Sequence, residues 1–313
     1  MSNQTTVSAF LLLEFSEIRE LQILHVFVFS AFYLTTVTGN LFIIAAIAFD
    51  DHLHTPMYFF LSNLAAMDLG SISVIVPNSV INSLTNNTSI SYSGCVTQVF
   101  FLFFFVSSDF ALLTAMAYDR YVAICNPLHY ERIMHIGACV QIAAIAWIVS
   151  LFYASLHTGG IFANTFCSNI FFCEIPALLK LSCSDTYLVE VGLLTFASSV
   201  SIVTFIYIIA TYMQIFSTVL KIPSAHGQKK ALSTCFPHLA VVSLFVSTAL
   251  FAYARPPSDA FSDMDVVFAV IYTIIPPMLN PFIYSMRNKD IKNVLWRLLD
   301  FGHFSKTLSG FVP

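Results

Sequence analysis

Charge is what this sequence has least of. Asp, Glu, Lys and Arg make up 10% of its 313 residues, against roughly 25% in a soluble domain. So few charges cannot cover a water-facing surface, which excludes an ordinary soluble globule. Glycine is scarce as well, with ten residues. No Gly/Ser linker, internal repeat or low-complexity tract marks a boundary between domains. There is no phosphate-binding Gly loop and no nucleophile elbow with triad partners. The nine histidines never meet cysteine at a zinc-site spacing. These absences leave nothing that favours an enzyme, and no nucleic-acid partner is expected. No cleavable leader is expected. The first twenty residues carry Glu14, Glu17 and Glu20 and lack a basic region followed by a short apolar core. The first long apolar run is expected to act as an uncleaved anchor.

Hydrophobic residues, by contrast, make up 58% of the chain, and the mean hydropathy is +0.81. Seven apolar segments stand out: Gln22–Phe49, Met57–Asn82, Cys95–Ala123, Ala138–Gly159, Val191–Val219, Leu232–Ala254 and Val266–Met286. Each is close to or longer than the ~20 residues that cross a bilayer. An open sheet could not satisfy its backbone there, so the fold class is an all-α membrane protein with seven transmembrane helices. Arg120, Arg132, Lys221, Lys229, Lys230, Arg287, Lys289, Lys292, Arg297 and Lys306 fall on one side of the spans. Only Arg19, Lys180 and Arg255 fall on the other. The basic side is cytoplasmic, so the amino terminus is outside and the carboxyl terminus inside.

The organisation is one seven-transmembrane domain over residues 1–313: an outer tail (1–21), the bundle (22–286) and an inner tail (287–313). In that tail Ile291, Val294, Leu295, Leu298 and Leu299 fall on one helical stripe, with Lys292, Arg297 and Asp300 off it. This spacing predicts a short amphipathic eighth helix over Asn288–Asp300, lying on the inner membrane face. Asn3 heads a glycosylation sequon on the outer tail. Asn86 and Asn87 head two more, in a loop expected to sit too near the membrane for use. Cys95, Cys167, Cys173 and Cys183 lie on the oxidising side, where four cysteines allow three pairings. Cys125, Cys139 and Cys235 lie towards the reducing side.

The most specific stretch is Met116-Ala117-Tyr118-Asp119-Arg120-Tyr121, continuing to Asn126-Pro127-Leu128-His129-Tyr130. An adjacent acid–base pair is expensive inside a membrane, so it belongs where a helix meets the cytoplasm. Further motifs are Gly39-Asn40; Leu53-His54-Thr55-Pro56-Met57-Tyr58 with Asp68 beyond; Lys229-Lys230-Ala231-Leu232-Ser233-Thr234-Cys235; and Pro277-Met278-Leu279-Asn280-Pro281-Phe282-Ile283-Tyr284. Together these resemble the vertebrate olfactory receptors, a branch of the rhodopsin-like G-protein-coupled receptors. The resemblance runs the length of the chain.

The resemblance implies a receptor for a small, mostly apolar odorant that activates a stimulatory heterotrimeric G protein and cyclic-AMP synthesis. It implies a plasma-membrane location, in olfactory cilia. It assigns coupling to Asp119, Arg120, Tyr121, Tyr212, Asn280, Pro281 and Tyr284, with Arg120 paired to Asp119 at rest and released on activation. It selects the disulfides Cys95–Cys173 and Cys167–Cys183. It places the odorant between the third, fifth, sixth and seventh helices, where Phe103, Val106, Ser107, Tyr253 and Thr273 are expected to line the pocket. Its departures are local: Thr211 before Tyr212, Val246 between Phe245 and Ser247, Pro237 before His238, and only five residues between Cys167 and Cys173.

Two acids need a separate account. Asp109 lies eleven residues before Arg120, about 16 Å deeper at ~1.5 Å per residue. Neither it nor Asp68 has a basic partner in the spans. Either both are protonated, or they share a cation; the resemblance favours sodium. Phe100, Phe101, Phe103, Phe104 and Phe105 are mostly expected to meet lipid or neighbouring helices. Two rival readings remain. A transporter would require repeats and a charged pathway. A receptor of the same fold for an internal metabolite would share most of these motifs.

Overall fold

The computed structural model describes residues 9–11, 19–85, 89–163, 187–253, 263–287 and 289–299. Seven long helices follow one another: α1 (Arg19–Phe49), α2 (Pro56–Thr85), α3 (Tyr92–Cys125), α4 (Ile136–Ala163), α5 (Tyr187–Val219), α6 (Ala225–Tyr253) and α7 (Asp263–Arg287). An eighth, α8 (Lys289–Leu299), comes after them. Among the described residues, α1 to α6 are long and apolar enough to cross a membrane, and α7 completes the seven-helix bundle. Each helix extends past the apolar segment expected for it, because helical hydrogen bonding continues into the interface. The extension is longest in α6, which takes in Lys229 and Lys230.

Local chemistry sets several ends. Ser91 caps α3: its hydroxyl accepts from the Gly94 N–H at 3.1 Å, which satisfies one orphan donor of the first turn. A one-turn helix (Tyr130–Ile133) follows α3, after Pro127. Two short strands, β1 (Ala9–Leu11) and β2 (Ser89–Ser91), pair antiparallel with Phe10 opposite Ile90. They tie the tail before α1 to the loop before α3, a pairing that no sequence pattern announced.

The main core lies in the inner half, where α1 to α6 meet around Phe60, Leu64, Leu112, Met116, Ile208 and Ile215. A smaller cluster joins α3 to α4 in the outer half, around Val99, Phe103 and Ala154. Large apolar side chains such as Ile148, Phe152, Ile206 and Met213 point outwards and are exposed. In water such a surface would aggregate; in a bilayer it faces its solvent.

Of the predicted amphipathic stripe of α8, Ile291 and Val294 are buried, and the side chains of Leu295, Leu298 and Leu299 lie outside the described residues. Arg297 reaches back from α8 to Asp50 at 2.6 Å. Arg297 is exposed while the Asp50 side chain is mostly covered; a pair so open on one side contributes modest stability, while it fixes where α8 lies.

Candidate functional site

At the inner end of α3, Asp119 is fully buried and its carboxylate is fully engaged. Arg120 Nε donates to Oδ2 at 2.9 Å, and Arg120 Nη2 contacts the same oxygen. The Tyr130 hydroxyl donates to Oδ1 at 2.8 Å. Burial and the Asp119 carboxylate push the Tyr130 phenol above its ordinary value, so it stays protonated and remains a donor. Arg120 is thus folded back along its own helix. Tyr121 faces the other way, towards α5.

Nearly two turns deeper, a second polar link crosses three helices. His238 of α6 sits 2.9 Å from the Leu113 carbonyl of α3 through Nε2. Its Nδ1 sits 2.6 Å from the Tyr212 hydroxyl of α5. A carbonyl can only accept, so Nε2 carries the proton and Nδ1 accepts from Tyr212. The two rings stack at 5.7 Å. The hydroxyl of Tyr212, a residue assigned to coupling, is therefore committed to His238 here. The helix runs through Pro237 without ending.

Proline chemistry shapes α7. Pro281 lacks the N–H that would pair with the carbonyl four residues earlier, at Pro277. Asn40 of α1 supplies the replacement: its Nδ2 donates to the Pro277 carbonyl at 3.1 Å and to its own Thr36 carbonyl at 3.0 Å. The neighbouring residue must be small for this approach. A Cβ on Gly39 would meet Pro281 Cβ at 2.9 Å, closer than packed carbons allow.

Asn280, on the same segment, donates to Asp68 Oδ2 at 2.9 Å. Asp109 on α3 lies within electrostatic reach of Asp68. Asp109 Oδ1, Ser108 Oγ, Asn280 Oδ1 and Asn40 Oδ1 are buried and make no hydrogen bond. Unpaired buried oxygens are costly. Two carboxylates with the Asn280 amide bonded to one of them offer oxygen donors, the kind that suit a small hard cation. Among the described residues, no three acids, histidines or cysteines cluster as a transition-metal site. Tyr284 is buried, and its hydroxyl is also unpaired.

In the outer half, Phe103 is buried and turns towards α4. Its ring lies 5.9 Å from Tyr153 and 5.0 Å from His157. Val106 is half-buried, as is Ser107. The Ser107 hydroxyl donates to its own helix, at the Phe103 carbonyl, 2.6 Å away. Thr273 is buried. Tyr253 is the last residue of α6, with its side chain outside the described residues. Phe110 and Phe245 stack at 5.7 Å, joining α3 to α6 below this region. Cys95 is disulfide-bonded. Cys167, Cys173 and Cys183 lie outside the described residues, as do Asn3, Asn86 and Asn87. Cys125, Cys139 and Cys235 are free.

Sequence reasoning gave no role to four residues: Asn40, Tyr130, His157 and His238. Asn40, His157 and His238 are polar groups within apolar runs, which was the available signal. Tyr130 stood in the quoted motif without a partner.

A family model described as olfactory receptor matches residues 29–300. Human olfactory receptor 14I1 is 50% identical over 302 residues, covering 95% of this chain and 97% of the relative. Human olfactory receptor 14A2 is 46% identical over 303 residues, 96% of each chain. Human olfactory receptor 1J4 is 49% identical over 302 residues, covering 95% of this chain and 96% of the relative.

Proposed function

This chain belongs to the olfactory receptor family, and from that premise we propose how it takes its ligand and couples to its partner. It is an odorant receptor of the seven-helix, G-protein-coupled class, a multi-pass membrane protein and a receptor rather than an enzyme. The finer reading is as follows. The ligand is a small, mostly apolar volatile molecule, held in the outer half by Val106, Ser107, Tyr253 and Thr273; Phe103, expected among them, packs instead against α4. The partner is a stimulatory heterotrimeric G protein, read out as cyclic AMP, at the plasma membrane of olfactory cilia.

The observation that carries the coupling mechanism is the double commitment of the inner half. Arg120 is occupied by Asp119, and Tyr212 is occupied by His238. A G-protein tail needs a cavity and a free cation between α3, α5 and α6. Opening it requires α6 to move, which breaks the Tyr212–His238–Leu113 link and frees the Tyr212 hydroxyl towards Arg120. An agonist produces that shift only by binding the open packing better than the closed one. Asn280, Pro281 and Tyr284 would supply the inner part of α7 to the same rearrangement.

A sodium ion at Asp68 and Asp109 belongs to the closed packing in this reading. Asn280, already bonded to Asp68, would be a neutral neighbour. When bound, the ion supplies positive charge between two carboxylates that lack a basic partner.

The test is a cyclic-AMP reporter screened against a chemically diverse volatile panel, with Arg120→Ala alongside. The parent should respond at micromolar concentrations, since a small odorant has few atoms and gains at best ~1.5 kcal/mol from each. The variant should reach the cell surface and lose the response. Normal signalling by surface-expressed Arg120→Ala would sink the role given to Arg120.

A further inference from the structure

A groove of about 320 Å3 opens between the inner ends of α3 and α5. Tyr121 and Cys125 line it from α3; Met213, Gln214, Ser217 and Thr218 line it from α5. Both walls are the last turns of their helices, which end at Cys125 and Val219. Met213 is 65% exposed, and Gln214 is exposed as well. In a bundle whose outward faces meet lipid, the groove therefore opens on the inner leaflet, near the boundary between hydrocarbon and headgroups.

Its chemistry is unusual for that position. The lining holds a phenol, an amide, two hydroxyls and a thiol, and no charge. Two of these groups are partly occupied: Ser217 donates to the Met213 carbonyl at 2.9 Å, and Cys125 donates to Thr218 Oγ1 at 3.3 Å. Among the described residues, neither the Tyr121 hydroxyl nor the Gln214 amide has a hydrogen-bond partner. Gln214 is exposed and Tyr121 half-buried, so both can take a partner that arrives from the bilayer. With no lysine or arginine in the lining, a phosphate headgroup finds no counter-charge. A lone hydroxyl, which both donates and accepts, matches an amide and a phenol together. Further out along α5, Ile202, Ile206, Ile209 and Met213 fall on one face at helical spacing, each between 45% and 65% exposed. That stripe runs for about 16 Å at ~1.5 Å per residue. It gives a rigid apolar body something to lie along.

We propose that this groove is a site for a membrane sterol: its single hydroxyl bonds to Gln214 and Tyr121, and its ring system lies on the aliphatic stripe of α5. The position bears on signalling. Met213 and Gln214 follow Tyr212, and Tyr121 follows Arg120, so an occupant lies on the outward side of the two helix turns that carry the committed groups of the inner half. A sterol that fits the groove of the closed packing holds the receptor in it, by differential binding.

Cys125 provides the readout, because it is half-buried in the groove while the free thiols of Cys139 and Cys235 are buried. The full-length receptor is placed in vesicles of one phospholipid, without sterol, with cholesterol, or with its mirror-image form, which orders the bilayer without fitting a chiral site. Alkylation of Cys125 by a membrane-soluble maleimide is followed by mass spectrometry. Cholesterol should slow it about tenfold at a content near ten times its dissociation constant. The mirror-image form should give little protection, and Gln214→Leu should lose most of it. Met213→Trp, which fills the groove with protein, should slow labelling without sterol and remove the dependence on it. No protection by cholesterol, or equal protection by both forms, overturns the site. Undiminished protection in Gln214→Leu overturns the recognition of the hydroxyl. Protection that instead rises with receptor density, without sterol, would mean that a second copy covers the groove, and would also overturn the proposal.

Discussion

Asp119 is buried completely, yet it has donors on both oxygens: Arg120 on one side and Tyr130 on the other. Tyr130 therefore does more than end a motif; it holds the carboxylate that holds Arg120. A hydrogen bond to a charged group contributes about 1.5–3 kcal/mol, and about 1.4 kcal/mol between two states changes their ratio tenfold. Tyr130→Phe keeps the ring and removes the donor. It should raise basal cyclic AMP several-fold at equal surface expression; an unchanged baseline would show that Arg120 needs no such support. Ser107 makes the same point in the outer half. Its proton is given to the Phe103 carbonyl, so only its lone pairs remain for a ligand. Ser107→Ala should weaken alcohols, which donate, more than ketones or esters, which only accept. Tyr253→Phe should affect all three, because a phenol both donates and accepts. Dose–response curves for matched odorants decide this, with the pure hydrocarbon as reference; uniform shifts would mean the pocket lies elsewhere.

At the level of helices, α7 stands only because α1 repairs it. Pro281 leaves the Pro277 carbonyl without its helical partner, Asn40 reaches across to it, and Gly39 lets the two helices come close enough. An unpaired buried carbonyl costs about 1–3 kcal/mol. Asn40→Ala should lower the melting temperature of purified receptor and reduce the fraction reaching the surface, with odorant potency of the surviving fraction little changed. Wild-type stability in this variant would mean that the Pro277 carbonyl finds another donor. The same segment carries Asn280 to Asp68. One proline-weakened helix thus anchors both the bundle and the mid-membrane acids.

For the bundle as a whole, the closed packing is a set of linked commitments: α3 to itself and the one-turn helix through Asp119, α5 to α6 to α3 through His238, and α7 to α2 through Asp68. If sodium binds at Asp68 and Asp109 and prefers this packing, linkage requires that agonist and sodium oppose one another. Odorant potency should fall as sodium replaces a large organic cation at constant ionic strength, and Asp109→Asn should flatten the dependence. Potency indifferent to sodium would favour two protonated acids instead. Like charges at this range cannot both ionise without a counter-ion, so both explanations keep the pair neutral overall or compensated.

Sequence alone determined the class of solvent, the number of spans and the amphipathic α8, because those follow from hydropathy and period, which are local sums over side chains. It also singled out Asp119 and Arg120 as an adjacent acid–base pair and Asp68 as a lone acid in an apolar run, while Asn280 was assigned only through the resemblance of its motif. Their partners were not legible. Tyr130 lies eleven residues from Asp119, His238 lies 125 from Leu113, and Asn40 lies 237 from Pro277. Nothing in a one-dimensional pattern says which distant carbonyl a proline has orphaned, or which imidazole nitrogen a carbonyl will select. The pairing of β1 with β2, the turn of Phe103 towards α4 and the groove beside Gln214 were likewise decided only when the helices packed. Each depends on which faces meet, and a lipid-facing helix, apolar nearly all round, carries little of that information in its sequence.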